Sequence, residues 1–319
     1  MRLAVLDLGL ESLHLAVVEA SGHGVRARIA PRRSWSETVH LAISTPDGHR
    51  IAAAGFVRGL AAVERLLCDM AAFDPACPVV AIASAGLGAA AGGPALCEEI
   101  QRCHGIPIDR LSGEEEARLS YLGARSCMAA VDRLAVAELG ATSLELATGA
   151  GACDLVHSVP LGVLNLRDVH LHPERGLDRA ARERVAASVR FGAADAARAI
   201  WDRRPERLAF TSATAHALGA LADELELRPP GTDELDVAVL ARLADVLAQF
   251  RPIELPALGV DEARSDTIAV GAVVLHTVME LLGMGSAVIS PRGRREGAAL
   301  LHLRGCQIPE VDRVHLAVT

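Results

Sequence analysis

Residues 3–17, LAVLDLGLESLHLAV, recur at residues 134–148 as LAVAELGATSLELAT. Aligned without a gap, nine of the fifteen positions are identical, and Asp7 is answered by Glu138. Each copy reads as an apolar strand, an acidic residue near its end, a glycine-containing turn with a serine, and a second apolar strand. A chain that repeats such a hairpin is expected to fold as two related halves. The expected boundary falls in 125–133, giving domains at 1–130 and 131–319.

The rest of the sequence fits a duplicated α/β protein. At 319 residues and 51% hydrophobic, the chain is long enough to bury two cores. No apolar run approaches the roughly 18 residues of a membrane span, and the N-terminus enters a strand directly, so a cytoplasmic location without membrane partners is expected. A net charge of −8 argues against a generalised nucleic-acid-binding surface. The sequence contains no lysine and no GxxxxGK[ST], which excludes Schiff-base lysines and P-loop chemistry. Its seven cysteines are irregularly spaced, without a CxxC pair, so neither a disulfide framework nor a zinc site is indicated.

After the first hairpin, an arginine-bearing segment (Arg26, Arg28, Arg32, Arg33) leads to more antiparallel sheet. An apolar helical stripe follows over 59–72, then PVVAIASA, a short strand covered on both faces. Ser112 followed by Glu115 forms a capping box, and acidic residues in a first helical turn complement the helix dipole. That accounts for Glu114 and Glu115. Glu116 lies just past the capping positions and is free to point across the helix toward a neighbouring groove. In the second half, the charged stretch 178–200 reads as helical, and RLAFT leads into the small-residue turn Ser212-Ala213-Thr214-Ala215-His216. Further helices are expected at 235–249 and 266–282, then a strand, a basic turn at 291–297 and a C-terminal tail.

A strand–turn–strand hairpin places backbone N–H groups and a serine hydroxyl at a tight bend, a concavity suited to phosphate oxygens. An acidic residue at the strand end suits a divalent cation bridging those oxygens. Two such hairpins across an interdomain cleft would clamp a phosphoryl group from both sides.

Taken in order, LDLGLESLHL, the turn after PVVAIASA, LSGEEEARLSYLGA, LAVAELGATSLEL, VPLG, TSATAHAL, EARSDTIAVGAVVL and SPRGRREG resemble the exopolyphosphatase / guanosine pentaphosphate phosphohydrolase (Ppx/GppA) family. The likeness is to its short, two-domain members. It implies a duplicated actin-like (ribonuclease H-like) α/β superfold with an interdomain cleft. The implied activity is release of terminal phosphate from polyphosphate, or from guanosine pentaphosphate, with Mg²⁺ or another divalent cation. Carried over residue by residue, the resemblance implies Glu116 as the base that activates water, with Glu145 as a second catalytic carboxylate. It implies Asp7 and Glu138 at the metal, and Gly9, Ser12, His14, Gly140, Ser143, Arg264 and Arg295 at phosphates. Homodimers are common among such proteins, so a homodimer is a further expectation.

The chain departs from the family pattern at several of these positions. Leu10 and Glu11 replace Ser and Asn in the first turn, and Ala141 and Thr142 replace two glycines where positive φ and close phosphate approach are expected. Glu138 replaces Asp, and Leu87 stands where an arginine is usual. These changes leave open a second reading, a weakly active or inactive homologue that binds a phosphorylated ligand or a protein.

Overall fold

The computed structural model describes residues 1–22, 28–172, 176–229 and 231–306. Arg26, Pro230 and the expected C-terminal tail beyond residue 306 lie outside these. The chain forms two compact units, Met1–Ser126 with the segment from Arg292 onward, and Cys127–Pro291.

The first unit opens with β1 (Arg2–Leu8), β2 (Ser12–Ser21) and β3 (Arg28–Thr38), followed by the small hairpin β4 (Ala42–Thr45) and β5 (Gly48–Ile51). Helix α1 (Ala53–Phe73), β6 (Val79–Ala83), α2 (Ala85–Ala89), α3 (Gly93–His104), β7 (Ile108–Arg110) and α4 (Gly113–Arg125) complete its continuous part. The main sheet runs β3-β2-β1-β6-β7, with β1–β2 and β2–β3 antiparallel and β1–β6 and β6–β7 parallel. Central β1 is apolar along almost its whole length because both faces are covered. Helix α1 starts earlier than its apolar stripe suggests and buries Gly55 and Gly59 beside Val63, Leu66 and Met70. A Cβ at Gly55 would lie 2.0 Å from the Leu41 carbonyl oxygen, so the glycine permits this close packing.

The second unit contains β8 (Arg133–Leu139), β9 (Leu144–Ala150), β10 (Leu155–Val159), α5 (Val163–His170), α6 (Arg179–Gly192) and α7 (Ala194–Trp201). It continues with β11 (Arg207–Phe210), α8 (Ala213–Glu224), β12 (Glu234–Asp236), α9 (Val237–Leu247), α10 (Ile268–Leu282) and β13 (Ser286–Ile289). Its sheet, β10-β9-β8-β11-β13-β12, repeats the strand order of the first and adds β12 at the edge. Helix α10 is buried on nearly every face, as its all-round apolar sequence requires. The duplicated order, a three-stranded antiparallel meander followed by parallel strands and helices, is that of the actin-like superfold.

The last helix, α11 (Arg294–Leu303), changes the expected organisation. The sequence places 291–297 in a basic turn and 131–319 in one domain, whereas residues 294–297 begin a helix that belongs to the first unit. Its Ala298, Ala299, Leu300 and Leu301 share a buried cluster with Leu3, Val5, Ile82, Leu119 and Leu122. Helices α4 and α11 meet backbone to backbone. A Cβ at Gly123 would lie 1.9 Å from Gly293 O, and one at Gly297 would lie 2.0 Å from Leu119 O. Arg292 Nη1 also donates to the carbonyl of Ser126 at 3.2 Å and to its hydroxyl at 3.0 Å. These contacts hold the C-terminal half of α4 in register with the start of α11.

Candidate active site

Both repeated hairpins close in the same way. Leu8 faces Leu13 and Leu139 faces Leu144 in register. Gly9 N–H donates to Ser12 O at 3.1 Å, and Gly140 N–H to Ser143 O at 2.9 Å. Each turn turns its carbonyls into its own unit. Leu10 O accepts from Leu41 N–H and Glu11 O from Val39 N–H, while Gly140 O and Ala141 O accept from Val163 and Leu164 at the start of α5. Among the described residues, the N–H groups of Leu10, Glu11, Ala141, Thr142 and Ser143 donate to no protein group. Each bend is therefore a partly buried array of N–H donors, the electrostatic form of an anion nest.

No residue of either turn has positive φ. Positive φ was the expected reason for glycine at 141 and 142, so Ala141 and Thr142 fit without backbone strain. The close-approach glycine is Gly162, whose Cβ would lie 2.3 Å from Ala141 O. Leu10 is 2% exposed and Leu87 is fully buried, so both side chains are core residues. Glu11 pairs with His40 Nδ1 at 3.1 Å.

In the first unit, four elements bring charged groups to the carboxyl ends of β1 and β6, where open α/β sheets characteristically bind ligands. Asp7 stands at the end of β1, opposite His14 on β2. Ser12 Oγ and His14 Nε2 lie 2.8 Å apart. Glu116 sits one residue past the Ser112–Glu115 capping box, which is present as expected, and Glu114 reaches Arg118. Both carboxylates are nearly buried, Asp7 at 3% and Glu116 at 3% exposure. Ala85 N–H, at the start of α2, donates to Glu116 Oε1 at 2.5 Å.

The group that joins the two carboxylates is one the motif reasoning missed. Arg294 Nε donates to Asp7 Oδ2 at 2.9 Å and its Nη1 to Glu116 Oε2 at 2.8 Å. The expected phosphate ligand, Arg295, is the second cation acting on Asp7. Of two adjacent arginines, helix phase decides which one reaches between the acids, and that phase is set by the α4–α11 contact.

The environments push the two acids apart. Burial by itself raises the pKa of Asp7, but the charges of Arg294, Arg295 and His14 outweigh it and hold Asp7 below the ordinary carboxylate range. For Glu116 burial dominates and pushes the pKa up, with the Asp7 charge adding to it. Arg294 and the Ala85 N–H offset only part of this rise. Asp7 thus stays ionised while Glu116 is tuned toward neutrality, the arrangement that separates a charge-holding carboxylate from a general base.

The second unit gathers Glu138 and Glu145 directly opposite each other on β8 and β9, with Gly140 and Ser143 in the connecting turn. Each carboxylate accepts from a hydroxyl. Thr211 Oγ1 donates to Glu138 Oε2 at 3.2 Å, and Ser158 Oγ to Glu145 Oε1 at 3.0 Å. Both carboxylates are buried, at 7% and 1% exposure. Ser212 caps α8 through Ala215 N–H, so the expected turn at 212–216 is already the first turn of that helix. Arg264 lies on a short 3-10 turn, Glu262–Arg264, ahead of α10.

The fold is the duplicated actin-like α/β superfold. The chain belongs to the Ppx/GppA phosphatase family, whose sequence signature matches residues 18–304. It is 33% identical over 322 residues to an uncharacterised protein from Streptomyces coelicolor, covering 95% of this chain and 90% of that protein. It is also 26% identical over 331 residues to Exopolyphosphatase 1 from Mycobacterium tuberculosis, covering 100% of this chain and 94% of that protein. Among solved structures, an exopolyphosphatase from Cytophaga hutchinsonii matches with a TM-score of 0.84 at 18% identity, over 97% of this chain and 99% of that one. The Aquifex aeolicus PPX-GPPA enzyme matches with a TM-score of 0.76 at 17% identity, over 94% of this chain and 99% of that one. Among the described residues, no helix is long and apolar enough to cross a membrane.

Proposed function

We propose that the protein is an exopolyphosphatase-like phosphohydrolase that releases terminal phosphate from polyphosphate by water attack, with Glu116 as general base. The observation that carries this reading is the buried Asp7–Arg294–Glu116 constellation, in which the Glu116 carboxyl is pushed up while that of Asp7 is held down. A water held against Glu116 gives it a proton as the water oxygen bonds to the terminal phosphorus. The bond from phosphorus to the bridging oxygen breaks, and the shortened chain leaves on that oxygen. The open N–H groups of Leu10 and Glu11 in one turn, and of Ala141, Thr142 and Ser143 in the other, suit phosphate oxygens, with Ser12 and Ser143 adding hydroxyls. Arg295 and Arg264 supply further positive charge for the polyanion, and Glu145 is the second carboxylate of the reaction.

Mg²⁺ fits the donors that are present. It keeps several waters and takes one or two carboxylates plus substrate phosphates, not an all-protein cage. Among the described residues no group of three or more His, Cys, Asp and Glu forms such a cage. Asp7 Oδ1 is buried without a hydrogen-bond partner, a donor oxygen suited to a cation. Asp7 is the carboxylate of the first unit that would hold the metal, which when bound neutralises phosphate charge, and Glu138 is its counterpart in the repeated hairpin of the second unit.

The test is phosphate release with Mg²⁺ from long-chain polyphosphate and, separately, from guanosine pentaphosphate. Turnover of polyphosphate is expected, reduced about 10²–10⁴-fold in Glu116→Gln. Full activity in that variant removes Glu116 from the mechanism. Binding of polyphosphate without any release of phosphate would instead favour a ligand-binding homologue.

A further inference from the structure

Arg294 stands where it bears on the metal as well as on the acids. Its guanidinium bridges Asp7 Oδ2 and Glu116 Oε2, and its side chain is only 16% exposed. The backbone carrying it is fixed: Gly293 N–H is capped by Glu296 Oε2 at 2.8 Å, and the glycine contacts between α4 and α11 leave no room for the helices to slide. The long, single-bonded stem of the arginine can nonetheless rotate toward solvent. If it does, Glu116 keeps the Ala85 N–H and Asp7 becomes a carboxylate with both oxygens open. A divalent cation on Asp7 would lie within a few ångströms of the guanidinium, and two cations that close in a buried site repel strongly. Asp7 therefore serves one of them at a time.

We propose that Arg294 is a built-in competitor for the divalent cation, holding Asp7 and Glu116 together in the metal-free protein and leaving Asp7 when the metal binds. The inference rests on the reading of Asp7 as a metal carboxylate. It makes the chain's own arginine a regulator of metal occupancy. In the absence of metal, Arg294 keeps two buried acids from facing each other uncompensated. With metal bound, the released guanidinium is available to the incoming polyanion, so metal and substrate favour the same rearrangement.

The experiment measures Mn²⁺ binding to the full-length protein by electron paramagnetic resonance, without substrate, for the wild type, Arg294→Met, Arg294→Lys and Asp7→Asn. The account expects Arg294→Met to bind Mn²⁺ about tenfold more tightly than the wild type or better, a gain of about 1.4 kcal/mol. Arg294→Lys, which keeps the charge but loses the two-pronged geometry, should fall between them. Adding Asp7→Asn to Arg294→Met should erase the gain. Thermal melting in EDTA and then in Mg²⁺ gives a second readout: Arg294→Met should melt below the wild type without metal and recover more of its stability with it. Asp7-dependent binding that is equal in the wild type and Arg294→Met overturns the competition while leaving the metal role of Asp7 standing. If neither protein binds Mn²⁺ in an Asp7-dependent way, both the competition and that metal role fail. Phosphate release from polyphosphate then tests the hydrolase reading separately.

Discussion

The two hairpins share a turn, a register and a closing hydrogen bond, yet they solve the problem of a buried acid differently. In the first, Asp7 faces His14 and is held by Arg294, so the buried charge is met by charge. In the second, Glu138 faces Glu145, a like residue, and the hydroxyls of Thr211 and Ser158 donate to the pair. Duplication preserved the backbone cradle while the side chains around it diverged. A fully ionic arrangement costs more to disrupt than a neutral donor, because removing one partner leaves a charge stranded in low dielectric.

That difference can be broken experimentally, beginning with the largest effect. Replacing Arg294 by Met should cost about 3 kcal/mol or more of unfolding free energy in metal-free buffer, by chemical denaturation at neutral pH. The matching cut in the second unit, Thr211→Val, removes one hydroxyl donor and should cost about 1.5 kcal/mol. Equal losses would erase the distinction between the units. Smallest of all is Ala141→Gly. Because residue 141 does not have positive φ, added glycine freedom only raises unfolded-state entropy, for a loss of about 0.5 kcal/mol without any gain in phosphate release. A rise in turnover would show that the turn does need glycine there.

Much of the architecture was legible in the sequence, and the reason is physical. Nine identities in fifteen residues preserved the apolar alternation and the glycine of each hairpin, and those residues dictate strand pairing and turn closure. The Ser112–Glu115 capping box likewise declared where α4 begins, which left Glu116 as the acid with somewhere else to point. Less visible was the role of residues 291–297. Three arginines in a short stretch look like a solvated turn, and nothing local says that Arg292 will bind Ser126, that Arg294 will bridge two acids nearly 180 or more residues upstream, or that Arg295 will act on Asp7 at longer range. The clue lay in Gly123 and Gly297, whose meaning as a backbone crossing emerges only when α4 and α11 are packed. The turn residues teach the converse: an expectation of positive φ at 141 and 142 came from the family pattern, whereas the local backbone adopts ordinary angles.

The pH dependence follows from the opposed acids. Asp7, with its pKa depressed from the ordinary 3.8, contributes stability that is present above that value and lost as pH falls through the folded-state value. Glu116, raised from 4.5, prefers its proton in the folded state, so its contribution to stability is full below 4.5 and declines as pH rises through the raised value. For catalysis the sign is simple, since a base works only when ionised: the rate should fall as pH drops through the Glu116 value.

The most direct test of Glu116 as the base is therefore the pH–rate profile of phosphate release from polyphosphate at saturating Mg²⁺, for the wild type and Glu116→Gln. The wild type is expected to show an acidic limb with its midpoint above 4.5, and the residual rate of the variant should lack that limb. An identical acidic limb in both proteins would contradict the account.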